Sequence, residues 1–224
     1  MTTGPIPLES LSTGLAALAV PLPADAPARL AAYVDLLLRW NRAFNLTAVT
    51  EPGEIVTRHL LDSLAIARFA TGASLADLGS GAGLPGIPLA IAAPERRVTL
   101  IDANGKKARF LRAAVRELGL DNAIVVEGRV ESVAGEFDTI TSRAFSSLAD
   151  MLAAGGHLLA PDGLWLAMKG RRPDDEIADM PDAFEVAGVT RLEVPGLGAE
   201  RHVVAIRRAN RQTVGPGDRS AIRP

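Results

Sequence analysis

Asp77-Leu-Gly-Ser-Gly-Ala-Gly-Leu-Pro-Gly86 continues a short strand-like run, Ser74-Leu-Ala-Asp-Leu78, and leads into Ile87-Pro-Leu89. A glycine-rich loop between a first strand and a helix brings backbone close to a ligand, because glycine has no side chain and tolerates unusual dihedrals. Gly81-x-Gly83-x-x-Gly86 matches the dinucleotide fingerprint GxGxxG, which by itself leaves a dinucleotide open. Three features favour S-adenosylmethionine (SAM). A carboxylate at Asp77 is badly placed for a pyrophosphate and well placed for the ammonium of a methionine moiety. Pro85 and Pro88 interrupt the helix entry that would carry a phosphate. No second motif suggests hydride chemistry. A nucleoside triphosphate loop is excluded, since no GxxxxGK[ST] is present. Asp102 ends the next apolar run, some 20 residues on, where an acidic side chain accepts ribose hydroxyls. The alternative for Asp102 is a cap on the helix beginning near Gly105. For Asp77 it is stabilisation of the loop itself.

Outward from this loop, strand and helix patterns alternate. Strands are expected at Ser74–Leu78, Arg97–Asp102 and residues 123–126, 137–142 and 164–169, with helices at 106–118 and 148–159 and a helix or irregular segment at 174–184. Such alternation implies parallel pairing and right-handed crossovers. Two last strands, 190–194 and 202–207, have no helix between them, which implies an antiparallel edge hairpin. The fold class is therefore α/β and Rossmann-like, with a mostly parallel sheet. Upstream, Leu30, Tyr33, Val34, Leu37, Trp40 and Phe44 form the apolar stripe of a helix, and Trp40 and Phe44 read as core. Thr50 is a candidate N-cap for a second helix over 55–69. The expected organisation is a loose lead-in at 1–25 with one short helix near Leu15, a helical N-terminal extension at 26–71, the α/β domain at 72–208, and a polar tail at 209–224.

The totals agree with this. The chain has 224 residues, 48% hydrophobic and 4% aromatic, enough for one α/β domain with an appendage whose core is Ala, Leu, Val and Ile. The absence of cysteine excludes disulfides, thiolate zinc sites and a cysteine nucleophile, and three scattered histidines argue against a histidine-rich metal site. No apolar run is long enough to cross a bilayer and no signal peptide is evident, so a cytoplasmic protein with no membrane contact is expected. A net charge of −2 argues against a protein that coats nucleic acid, though not against a local basic patch. Lys106, Arg109, Arg112 and Arg116 read as the solvated face of a helix.

Several motifs in one order carry a resemblance: Arg58-His-Leu-Leu-Asp-Ser63, the loop Asp77 to Leu89, Ser142-Arg-Ala-Phe145, Lys169-Gly170 and Glu200-Arg-His202, with Trp40-Asn41 and Phe44-Asn-Leu-Thr47 upstream. Over about residues 28 to 208 the chain resembles the bacterial small-subunit ribosomal RNA guanine-N7 methyltransferases of the RsmG type, also called the glucose-inhibited division protein B family. The resemblance implies a class I SAM-dependent methyltransferase fold with SAM as cofactor. The family's SAM contacts carry over onto Gly79, Leu84, Asp102, Val130, Glu131 and Arg143, joined by Asp77 and Gly81 from the loop reading. Ser80 stands where the family often has Thr, and Ala103-Asn104 is a variable dipeptide there.

The implied reaction is methylation of N7 of a guanine in 16S ribosomal RNA, with that RNA or the small subunit as partner and a monomeric enzyme. Guanine N7 carries a lone pair and no proton, so the transfer is an in-line displacement that needs no general base and no catalytic residue in that sense. Substrate-side candidates are His59, Arg143, Lys169 and Arg201, with Arg58, Arg171 and Arg172 nearby. Some have a plainer alternative: for His59 a buried histidine bonded to a backbone or carboxylate partner, and for Arg143 a structural ion pair; Asp62, close by, can simply pair with Arg58 at i,i+4. A methyltransferase for a small molecule or protein, and a non-catalytic SAM-binding RNA module, are the competing functions.

Overall fold

The structure is a computed structural model that describes residues 6–143 and 147–209. Phe145 of the Ser142–Phe145 motif and the expected tail beyond 209 lie outside the described residues. Seven strands form one mixed sheet in the order β3-β2-β1-β4-β5-β7-β6. They are β1 (Ser74–Leu78), β2 (Arg97–Asp102), β3 (Ala123–Glu127), β4 (Phe137–Arg143), β5 (Leu159–Lys169), β6 (Phe184–Arg191) and β7 (His202–Arg208). The first five pair in parallel, and β7 runs antiparallel between β5 and β6. The expected edge hairpin is present, but its first strand begins at Phe184 and ends at Arg191. Residues 192–201 form the connection, anchored where Leu192 N–H bonds the Arg201 carbonyl at 2.7 Å. β5 likewise begins earlier than expected, at Leu159, and pairs with β4 across a register shift between Phe137 and Thr139.

Strand side chains alternate between two cores, as the two-residue period of a strand requires. Leu75, Leu166, Met168 and Val203 join α1 (Leu8–Leu18), α2 (Ala26–Phe44), α5 (Gly86–Ala92) and α6 (Gly105–Glu117) on one face. Ala76, Ile140, Trp165, Ala167, Val204 and Ile206 join α7 (Leu148–Gly155) on the other. Trp165 is fully buried, and its indole N–H finds the Ser142 hydroxyl at 3.0 Å, as a buried polar handle must. The expected lead-in carries the eleven-residue helix α1, with Leu11 and Leu15 buried. In α2, Trp40 and Phe44 are half-buried, their rings tilted against each other at 5.1 Å, with the Trp40 ring edge-on to Phe110 of α6.

Between α2 and the sheet, α3 (Pro52–Ile55) runs through a π-helical turn, Val56–Leu61, into α4 (Asp62–Leu64). Its N-cap is Glu51 and not Thr50: the Glu51 carboxylate accepts from Glu54 N–H at 2.7 Å, and Pro52 occupies the first helical position, where no N–H is needed. Similarly α6 is capped by Asn104, which accepts from Lys106 and Lys107 N–H, so Asp102 is spared that task. α8 (Asp174–Ala178) is a single short helix after β5. The basic stripe of α6 is exposed, with Arg112 bonded to Glu127 at 2.8 Å. Among the described residues no helix is long and apolar enough to cross a membrane.

Candidate active site

The glycine loop sits at the carboxyl end of β1, between the ends of β2 and β4, where open α/β sheets bind ligands. Gly79, Gly81 and Gly83 all have positive φ, at 68°, 59° and 83°. Gly86 is required for a different reason: a Cβ there would lie 2.3 Å from Leu100 Cδ2 and 2.7 Å from Asp77 Oδ2. That closeness lets Gly86 N–H donate to Asp77 Oδ2 at 3.0 Å. Asp77 is fully buried, with Thr141 donating to its other oxygen at 3.3 Å. Burial pushes its carboxyl up to about 6, opposed by the Gly86 bond. The Asp77 carboxylate thus binds the loop together from beneath, the alternative weighed from the sequence.

Asp102 meets the same loop from the side. Its Oδ2 accepts from Gly81 N–H and its Oδ1 from Asn104 N–H, both at 2.8 Å. Each carboxylate oxygen still has acceptor capacity for a hydroxyl. A Cβ on Gly81 would meet nothing nearer than Gly79 O at 3.7 Å and Lys107 Nζ at 4.0 Å, so one side of the loop is open and a cation stands over it. An open, positively curved backbone with a carboxylate at its edge and a cation beside it suits a ligand bearing both an amino acid end and a ribose. Val130 packs into the second core at the end of the β3 crossover, Glu131 beside it is exposed, and Leu84 is buried in the first core.

One polar residue here was hidden in the sequence by its surroundings. Tyr33 of α2, placed in an apolar stripe, donates its hydroxyl to the Ala82 carbonyl at 2.5 Å, within the glycine loop. Burial pushes its phenol far up, so it remains a donor at any working pH. As the sole tyrosine, within a stripe otherwise apolar, it carried a signal: a buried phenol needs a partner.

Of the substrate-side candidates, Arg143 and Arg201 meet on one carboxylate with His59 near Arg143, while Lys169 has a partner of its own. Arg143 at the end of β4 donates to the Arg58 carbonyl at 3.4 Å and lies 3.5 Å from Asp62 Oδ2. Arg201, just before β7, donates to Asp62 Oδ1 at 2.9 Å. Asp62 therefore pairs with these two and not with Arg58, whose partner is Glu54 at 3.7 Å. The π-turn brings this about, since a widened turn re-aims the residues after it. Burial pushes the Asp62 carboxyl above its ordinary range, opposed by the guanidiniums of Arg201 and Arg143. His59 is buried. Its Nδ1 lies 3.0 Å from the Arg58 carbonyl, which can only accept, so Nδ1 carries the proton. Nε2 then accepts from the Thr47 hydroxyl at 2.8 Å, which itself accepts Val49 N–H. Burial and, secondarily, Arg143 lower its pKa to about 4, so the ring is neutral. Lys169 at the end of β5 is held by Glu176 of α8 at 2.6 Å, and Glu176 also accepts Leu148 N–H at 2.8 Å. Arg171 and Arg172 are exposed, Arg172 on Asp174.

A family model described as rRNA small subunit methyltransferase G matches residues 27–204, most of the chain. The chain belongs to this family. It is 52% identical over 211 residues to the ribosomal RNA small subunit methyltransferase G of Stenotrophomonas maltophilia, covering 92% of this chain and 99% of that protein. A relative of the same name from Xanthomonas campestris is 53% identical over 199 residues, covering 88% and 93%. Among solved structures, a SAM-dependent methyltransferase from Aquifex aeolicus superposes with a TM-score of 0.53 at 17% identity, covering 76% of this chain and 97% of that one. M. jannaschii TYW2 in complex with AdoMet gives 0.52 at 16% identity, covering 66% and 75%. These two speak for the fold alone. A member of this family is a ribosomal RNA small-subunit methyltransferase.

Proposed function

We propose that the protein methylates N7 of a guanine in 16S ribosomal RNA. The observation that carries this reading is the meeting of Arg143 and Arg201 on Asp62 at the same sheet end as the glycine loop. SAM supplies a methyl group on a sulfonium. The chain's residues do the rest. Asp77 and Tyr33 fix the loop, and Gly79, Gly81 and Leu84 shape it. Asp102 offers acceptors to the ribose, Val130 and Glu131 border the adenosine side, and Arg143 stands between cofactor and RNA. Arg143, Lys169 and Arg201 hold the RNA backbone, and neutral His59 braces the Arg58 carbonyl to which Arg143 bonds. No residue need remove a proton, because N7 has none; the gain is in orientation and exclusion of water. The enzyme acts as a cytoplasmic monomer, with residues 26–71 as an extension that clamps the methyltransferase domain.

The test is transfer of labelled methyl from SAM to small subunits, and to their free RNA, from a strain lacking the protein, with the labelled base mapped. Labelling of a single guanine at N7 is expected. Label on another atom, on protein or on no RNA at all would overturn the reading.

A further inference from the structure

Asp62 belongs to the helical segment that precedes the sheet, yet its carboxylate lies beneath two arginines from strand ends. The Asp62 side chain is 3% exposed, and those of Arg143 and Arg201 are 25% exposed each. Oδ1 takes the Arg201 Nε–H at 2.9 Å and Oδ2 faces Arg143 Nη1 at 3.5 Å. Two guanidiniums this close to one carboxylate would repel each other without it, and the carboxylate would be an uncompensated buried charge without them. The trio carries a surplus charge of +1 and keeps part of each arginine in solvent. A planar guanidinium fork with free N–H groups is suited to a phosphate.

We infer that Asp62 is a positioning residue that holds Arg143 and Arg201 as one preorganised cationic pair for a phosphate of the RNA backbone. This rests on the reading that both arginines meet RNA. Asp62 itself touches no substrate. It sets the separation and orientation of two donors that come from β4 and from the connection into β7, 58 residues apart in the chain. The remaining N–H groups of the pair then take the phosphate without first having to be gathered.

The test is a double-mutant cycle on the full chain, read by binding of a labelled small-subunit ribosomal RNA fragment and by the split between KM for RNA and kcat. R201Q is expected to weaken RNA binding about tenfold. D62N is expected to weaken it as much, chiefly through KM. The double variant D62N/R201Q is expected to be no weaker than R201Q. Losses that multiply in the double variant, or D62N binding within twofold of wild type, would overturn the inference. Should thermal unfolding show D62N to be misfolded, D62E decides. It keeps the charge and shifts it by one methylene, so positioning predicts the same loss of RNA affinity, whereas mere charge compensation predicts wild-type affinity. If R143Q and R201Q both leave RNA binding unchanged, the parent reading of the arginines falls and this inference falls with it.

Discussion

The hydroxyl of Tyr33, on α2, is bonded to the carbonyl of Ala82, in the middle of the glycine loop. The helical extension is thus a structural support of the loop and not only a neighbour of the sheet. Tyr33→Phe keeps the ring and strands a buried carbonyl, which costs on the order of 1–3 kcal/mol. SAM affinity measured by calorimetry should fall about tenfold, with a small drop in thermal midpoint. Unchanged affinity would show that the loop holds its shape unaided.

Gly86→Ala should be more damaging than its chemistry suggests. The added methyl meets Leu100 and the Asp77 carboxylate at under 3 Å, so either the Gly86–Asp77 bond breaks or β2 shifts. We expect loss of measurable SAM binding and destabilisation of on the order of 1–3 kcal/mol, as for other overpacked cores. Gly81→Ala meets open space but is strained by its φ of +59°, and should lose affinity more than stability.

Two buried groups oppose each other with pH. His59 has its pKa lowered to about 4, so between pH 6.5 and 4 the unfolded chain takes up a proton that the folded chain refuses. Its contribution is present above pH 6.5 and lost on acidification, roughly 3 kcal/mol in full. Asp77 has its pKa raised to about 6, so the folded chain keeps a proton that the unfolded chain releases above about 4. That contribution is present at low pH and lost as pH rises through 6, again roughly 3 kcal/mol. Taking urea unfolding from pH 7 to pH 5, His59→Gln should gain stability and Asp77→Asn should lose it. Each change should be on the order of 1–2 kcal/mol, with wild type between them. The same slope in all three proteins would refute the assignment.

Glu176→Gln should release Lys169 while an amide oxygen still accepts Leu148 N–H. Removing this competitor for the lysine should tighten binding of the ribosomal RNA fragment several-fold and steepen its salt dependence. Weaker binding would mean that Glu176 orients Lys169 for the RNA.

The sheet is largely legible in the sequence, because β1 and β2 are short, mostly apolar stretches, Leu75-Ala76 and Val98 to Ile101 broken by Thr99, that end at Asp77-Leu78 and Asp102. The edge was read less well. Phe184-Glu-Val-Ala-Gly-Val-Thr-Arg191 lacks clean alternation, and its register shift at Val186/Gly188 breaks the two-residue period that marks a strand. The loop glycines and Asp102 could be picked out because they are close in sequence. Asp62 could not be given its partners, since Arg201 is 139 residues away and a local Arg58 offers the same chemistry at i,i+4. Glu51 displaced Thr50 as cap because Pro52 fixes the first helical position one residue later than the hydroxyl suggests.

β7 enters the sheet at the end where the parallel strands leave it, so the last strand to be synthesised delivers Arg201 to a site begun by Asp62. β6 pairs with β7 within the sheet and must wait for it. A chain still short of β7 can therefore shape its glycine loop, but it leaves the buried Asp62 carboxylate without Arg201, a charge short of one of its two partners.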